Sequence, residues 1–72
     1  MKPRYKIEYY KNDKGASRIV QLDLNDSIEE QEFFKNATLL DFDLYLYKEV
    51  YLDENYDIIK EKEYERGTSE NN

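Results

Sequence analysis

Residues 39–52 read Leu39-Leu40-Asp41-Phe42-Asp43-Leu44-Tyr45-Leu46-Tyr47-Lys48-Glu49-Val50-Tyr51-Leu52, and the reading of this stretch decides the fold. Leu40, Phe42, Leu44 and Leu46 alternate with Asp41, Asp43, Tyr45 and Tyr47. A period of two is that of a strand whose successive side chains point to opposite faces. The pattern therefore predicts an extended segment over 39–52, with aliphatic groups on one side. Asp41, Asp43, Tyr45, Tyr47, Glu49 and Tyr51 lie together on the other side in this reading.

Working outward, Asp53-Glu54-Asn55-Tyr56 is a polar loop, and 57–64 reads as a returning strand. Among the registers available to this hairpin, one sets Glu49 against Lys60, Lys48 against Glu61, Val50 against Ile59 and Tyr51 against Ile58. Opposite charges across strands favour it. It makes both faces apolar at the hairpin end, where Ile58 joins the displayed surface. Upstream, Ser27-Ile28-Glu29-Glu30 is a capping box with Ser27 as N-cap. It predicts a short helix over 28–36 closed by Asn36, with Ile28, Gln31, Phe34 and Ala37 as the inner stripe. Segments 4–11 and 16–24 are rich in β-branched and aromatic residues and read as a first hairpin. A four-residue loop there pairs Ile7 with Val20, Tyr5 with Leu22 and Arg4 with Asp23; a three-residue loop pairs Ile7 with Gln21 and Tyr5 with Asp23. Burial of the apolar residues favours the four-residue loop. The order β-β-α-β-β implies an α+β domain over 1–64: a four-stranded antiparallel sheet with one short helix on one face. Residues 65–72, ERGTSENN, read as a disordered polar tail.

Composition sets bounds on function. A chain of 72 residues has room for one small core, which rarely yields more than about 3–5 kcal/mol. There is no Cys and no His, so neither a disulfide nor the usual zinc ligands can supplement it. Dimerisation or partner binding becomes the expected supplement. The chain has no signal-like apolar region and no apolar run of membrane-spanning length, which leads to the expectation of a cytoplasmic protein without a membrane partner.

Catalysis has little to work with. Nucleophile-and-base chemistry lacks both His and Cys, and the pair Asp41 and Asp43 has nothing converging on it. Asp53-Glu54-Asn55-Tyr56-Asp57 opens like a calcium loop, but Ile58 stands where the loop needs Gly and Tyr64 where it needs a bidentate Glu. The expectation is a protein that is not an enzyme and carries no cofactor and no metal.

Charge and tyrosine content point instead to binding. The net charge is −6, with six basic against two acidic groups in residues 1–18 and five against fifteen in the remainder. Such a field repels nucleic acid and attracts basic surfaces. Tyrosine, with eight residues, offers large contact area at low entropic cost. The reading is a protein-binding inhibitor or adaptor that docks Asp41, Asp43, Tyr45, Tyr47, Glu49, Tyr51 and Ile58 on the basic surface of a nucleic-acid-handling protein. In effect it mimics nucleic acid, as small acidic proteins of phages and mobile elements do; the link is by analogy of size and charge. One alternative is a single-stranded nucleic-acid binder, using sheet tyrosines with Lys2, Arg4, Lys6, Lys11 and Arg18. Another is a self-assembling structural protein whose hairpin end closes a homodimer.

Overall fold

The computed structural model describes residues 2–40 and 43–64; Asp41, Phe42 and the 65–72 tail lie outside the described residues. Strands β1 (Tyr5–Lys11) and β2 (Ser17–Asp23), helix α1 (Ile28–Thr38), and strands β3 (Tyr45–Leu52) and β4 (Ile58–Glu63) follow one another along the chain. All pairings are antiparallel and the sheet order is β2-β1-β3-β4. The fold is thus α+β, with four antiparallel strands in one open sheet and a single short helix. No helix among the described residues is long and apolar enough to cross a membrane.

The first hairpin takes the three-residue register. Ile7 pairs with Gln21 and Tyr5 with Asp23, which corrects the four-residue loop. Asn12 and Ala16 close the turn, and Gly15 adopts φ +90. A type I turn followed by a left-handed residue needs a glycine there, and the Asn12 side-chain oxygen adds bonds from the N–H groups of Lys14 and Ala16. Turn chemistry outweighs the apolar pairing because β1 does not bury Ile7 on the helix side. It turns Lys6, Glu8 and Tyr10 inward instead. The Arg4 to Asp23 ion pair forms nonetheless, as a two-pronged contact at 3.0 and 3.2 Å.

The second hairpin is corrected as well. Glu49 pairs with Lys62, Lys48 with Glu63, Val50 with Glu61 and Tyr51 with Lys60, whereas Leu52 pairs with Ile58. Ile59 is an extra residue at a bulge. The turn is closed between Asp53 and Asp57, and the buried Asp53 carboxylate accepts from the N–H groups of Asn55 and Asp57, as Asn12 does in the first turn. Tyr56 takes the left-handed place at φ 67. Shifting the register sets charged residues against Val50 and Tyr51, so the expected pairing of apolar residues on both faces is absent.

The most consequential departure lies in 39–52. The strand begins at Tyr45 rather than Leu39, and its pairing with β1 shifts between Tyr9 and Tyr10, where Tyr9 meets Lys48 and Tyr10 meets Leu46. Tyr47 is therefore the additional residue of a β-bulge, which reverses the alternation beyond it. Leu46 lies on the same face as Glu49 and Tyr51, whereas Tyr45, Tyr47, Lys48, Val50 and Leu52 share the opposite face.

Helix α1 starts as expected: the Ser27 hydroxyl accepts from the Glu30 N–H at 3.1 Å and contacts the Glu30 carboxylate at 3.3 Å. It runs to Thr38 with Leu39 as C-cap, so Asn36 lies within the helix instead of closing it. The helix lies over β2, with Lys35 reaching across to Glu8 of β1. Gln31, Lys35 and Thr38 are its half-buried residues, whereas Ile28, Phe34 and Ala37 of the expected inner stripe are exposed. The core on this inner face comprises Tyr10, Val20 and Leu22, with Leu39, Leu44 and Leu46 against it. Val50 and Leu52 are buried on the outer face.

Candidate protein-binding surface

The bulge at Tyr47 divides the surface expected from the sequence. Asp41 lies outside the described residues, and Asp43 is exposed ahead of β3. Tyr45 and Tyr47 stand on the outer face, half-buried; the Tyr47 ring lies 6.2 Å from that of Tyr9. Glu49 and Tyr51 stand on the inner face, and Ile58 is exposed at the start of β4. These residues do not form one contact surface.

Glu49 is 7 % exposed and Glu8, its cross-strand partner, 2 %. Buried carboxylates require paired charge and full hydrogen bonding. Lys6 supplies both, lying 3.0 Å from Glu8 and 2.8 Å from Glu49. Tyr10 donates to Glu8 at 2.8 Å and Tyr64 to Glu49 at 2.7 Å, while Lys35 reaches down from α1 to within 3.5 Å of Glu8. Desolvation alone lowers the Lys6 pKa, but the two carboxylates outweigh it and hold the ammonium above its ordinary range. Desolvation likewise raises Glu49, yet Lys6 and Tyr64 prevail and depress it. Burial, then the bond to Glu8, pushes the Tyr10 hydroxyl up. Among the described residues no buried side-chain nitrogen or oxygen lacks a partner, so this network is a satisfied polar centre of the sheet. The Asp53 carboxylate is occupied in closing its turn, and no cluster of three or more metal-ligating side chains occurs among the described residues.

Several tyrosine rings have a cation beside them. Arg4 lies over Tyr5, Lys48 over Tyr9, Lys11 over Tyr47 and Lys62 over Tyr64, and both Lys6 and Lys60 lie over Tyr51. Tyr5 also stacks on Tyr56 with centroids 4.6 Å apart. Base stacking needs free ring faces, and these rings already hold cations or each other.

A different surface is open. Helix α1 buries none of its residues, and Ile28, Phe33 and Phe34 are 72, 71 and 52 % exposed. Glu29, Glu30 and Glu32, also exposed, surround them. Its one basic residue, Lys35, is directed at Glu8. Large apolar groups grouped on one helix and rimmed by a single charge sign are the composition of an interaction surface. The signal for it was present in the sequence: adjacent residues on a helix diverge by about 100°, so Phe33 and Phe34 cannot both face one core. The chain matches no protein-family model, no curated protein and no solved structure.

Proposed function

We propose that this protein is a non-catalytic protein-binding module that docks through α1 on a basic partner, as an inhibitor or adaptor. The partner presents an apolar groove for Phe33 and Phe34, which line one depression with Glu29 and Glu30, and lysines or arginines at its rim meet those carboxylates. The observation that carries this reading is the helix without a buried residue whose two phenylalanines are 71 and 52 % exposed. Aromatic side chains in such positions are the usual anchors of an interface, and the surrounding charges set its orientation and on-rate. Proteins that handle nucleic acid offer basic grooves of this kind, and the α1 carboxylates stand in for phosphates there. The cations already beside Tyr5, Tyr9, Tyr47 and Tyr51, and the engagement of Lys6 and Arg4 in ion pairs, favour a protein partner over single-stranded nucleic acid.

The test begins with capture from a lysate on the immobilised chain and ends with the purified captured protein in titration against variants. Binding that falls with rising salt, and weakens at least tenfold for both Phe33→Ala and Glu29→Lys/Glu30→Lys, agrees with the proposal. Binding indifferent to both variants refutes α1 as the docking element.

A further inference from the structure

The helix covers only the β2 side of the inner sheet face, although the sheet is four strands wide. A helix is about 10 Å across and four strands span roughly 15 Å between their outer axes, so one helix does not reach the Tyr51–Lys60 end of the β3–β4 half, while Tyr64 covers Glu49 farther along it. That half carries a groove of about 560 Å³ lined by Pro3, Tyr51, Ile59 and Lys60. Lys60 is its basic residue; Lys62, opposite Glu49, lies over the Tyr64 ring instead. The molecule thus bears an acidic, apolar helix and, beside it, a basic, apolar groove with no helix over it.

From this complementarity we infer that the groove receives α1 of a second copy of this chain, in a two-fold symmetric dimer. The inference rests on the reading of α1 as a docking element and names one of its partners. A two-fold axis parallel to the strands turns one inner face onto the other and carries the β2 side of one protomer over the β4 side of its partner. The level along the strands also agrees. Leu22, Lys6, Tyr51 and Lys60 form one row across the sheet, and Phe34 borders a depression with Leu22 at the β2 end of that row. The symmetry operation preserves position along the axis, so the middle of α1, around Phe33 and Phe34, arrives at the level of Tyr51 and Lys60. At about 100° per residue, Phe33 and Glu29 lie on the side of α1 opposite Gln31, Lys35 and Thr38. They face away from their own sheet and therefore toward the other one. Phe33 enters the groove against Ile59 and the edge of Tyr51, and Glu29 approaches Lys60; Lys62 stands at the level of Glu8 and Lys35, toward the other end of α1. The contact is formed twice, as an isologous interface requires, and it completes a layer of two helices between two sheets. A dimer of this form withdraws α1 from other partners until it dissociates.

Sedimentation of the full chain from low to hundreds of micromolar concentration tests the inference. A reversible monomer–dimer equilibrium is expected, weakened at least tenfold by Phe33→Ala, by Lys60→Glu and by Glu29→Lys, each with an unchanged circular dichroism spectrum. Mixing the two charge-reversed variants restores a dimer that neither forms alone, because each then offers the complement of the other. A monomer throughout, a dimer indifferent to these substitutions, or no recovery on mixing overturns the inference. A monomeric protein that still binds a purified basic partner through α1 retains the functional reading and loses only the dimer.

Discussion

Glu8 and Glu49 face each other across β1 and β3 with both carboxylates buried, and the Lys6 ammonium lies within 3.0 Å of each. Two like charges side by side in a sheet interior repel; a shared cation, with one tyrosine hydroxyl for each carboxylate, turns the pair into a fixed arrangement. Removal of the cation is therefore expected to matter more than removal of either carboxylate. Lys6→Met leaves Glu49 without its paired cation and Glu8 with Lys35 alone at 3.5 Å, and should destabilise the fold by about 3–5 kcal/mol. Glu49→Gln keeps a hydrogen-bonding group there and should cost less. Urea unfolding checks the order, and equal losses contradict the shared-cation arrangement.

The same network sets the pH dependence. The folded pKa of Glu49 is depressed by Lys6 and Tyr64 despite desolvation, so its contribution is present above the ordinary carboxylate value of about 4.3 and is lost as pH falls through the folded value. Lys6 and Tyr10 are raised, so their contributions are complete below their ordinary values of about 10 and are lost as pH climbs past the folded ones. Unfolding midpoints measured from pH 3 to 11 should form a plateau with falling limbs at both ends, given a carboxylate near 4 and a lysine and tyrosine near 10 as reference values. Glu49→Gln should flatten the acidic limb.

Tyr56 holds a left-handed backbone position at φ 67 that favours glycine, while its ring stacks on Tyr5. Tyr56→Ala loses the stacking and keeps the unfavourable backbone; Tyr56→Gly loses the stacking and relieves it. The glycine variant should be the more stable of the two by about 1 kcal/mol. The converse holds at Gly15, where a Cβ meets nothing within 4 Å and the cost of Gly15→Ala is set by φ +90 alone, about 1 kcal/mol or more. Urea midpoints of the three variants measure both differences.

Leu22 and Phe33 separate packing from display. Leu22 is buried beside Val20 and Tyr10, so Leu22→Ala should cost about 2–5 kcal/mol. Phe33→Ala should change folding stability by no more than about 0.5 kcal/mol, as for an exposed site. A large loss at Phe33 in a monomeric sample assigns that side chain to the core and removes α1 as a binding surface.

Local chemistry was legible in the sequence by itself. The capping box at Ser27 started the helix, polar turn residues marked both hairpins, and strand-type composition marked the four strands, because each of these signals depends on neighbours a few residues apart. The period-two run over 40–47 nevertheless lies mostly ahead of β3. Tertiary structure decided register and facing. Glu8 is buried only because Lys6, Lys35 from α1 and Tyr10 converge on it, and no local pattern marks a carboxylate as interior. The extra residue at Tyr47 sends Glu49 and Tyr51 to the helix side, since a period of two transmits one insertion to every residue beyond it. For the same reason the contact surface expected along 39–52 is divided between two faces, and the exposed aromatic surface lies on α1. A single helix that settles over an edge strand cannot bury both of its neighbouring phenylalanines.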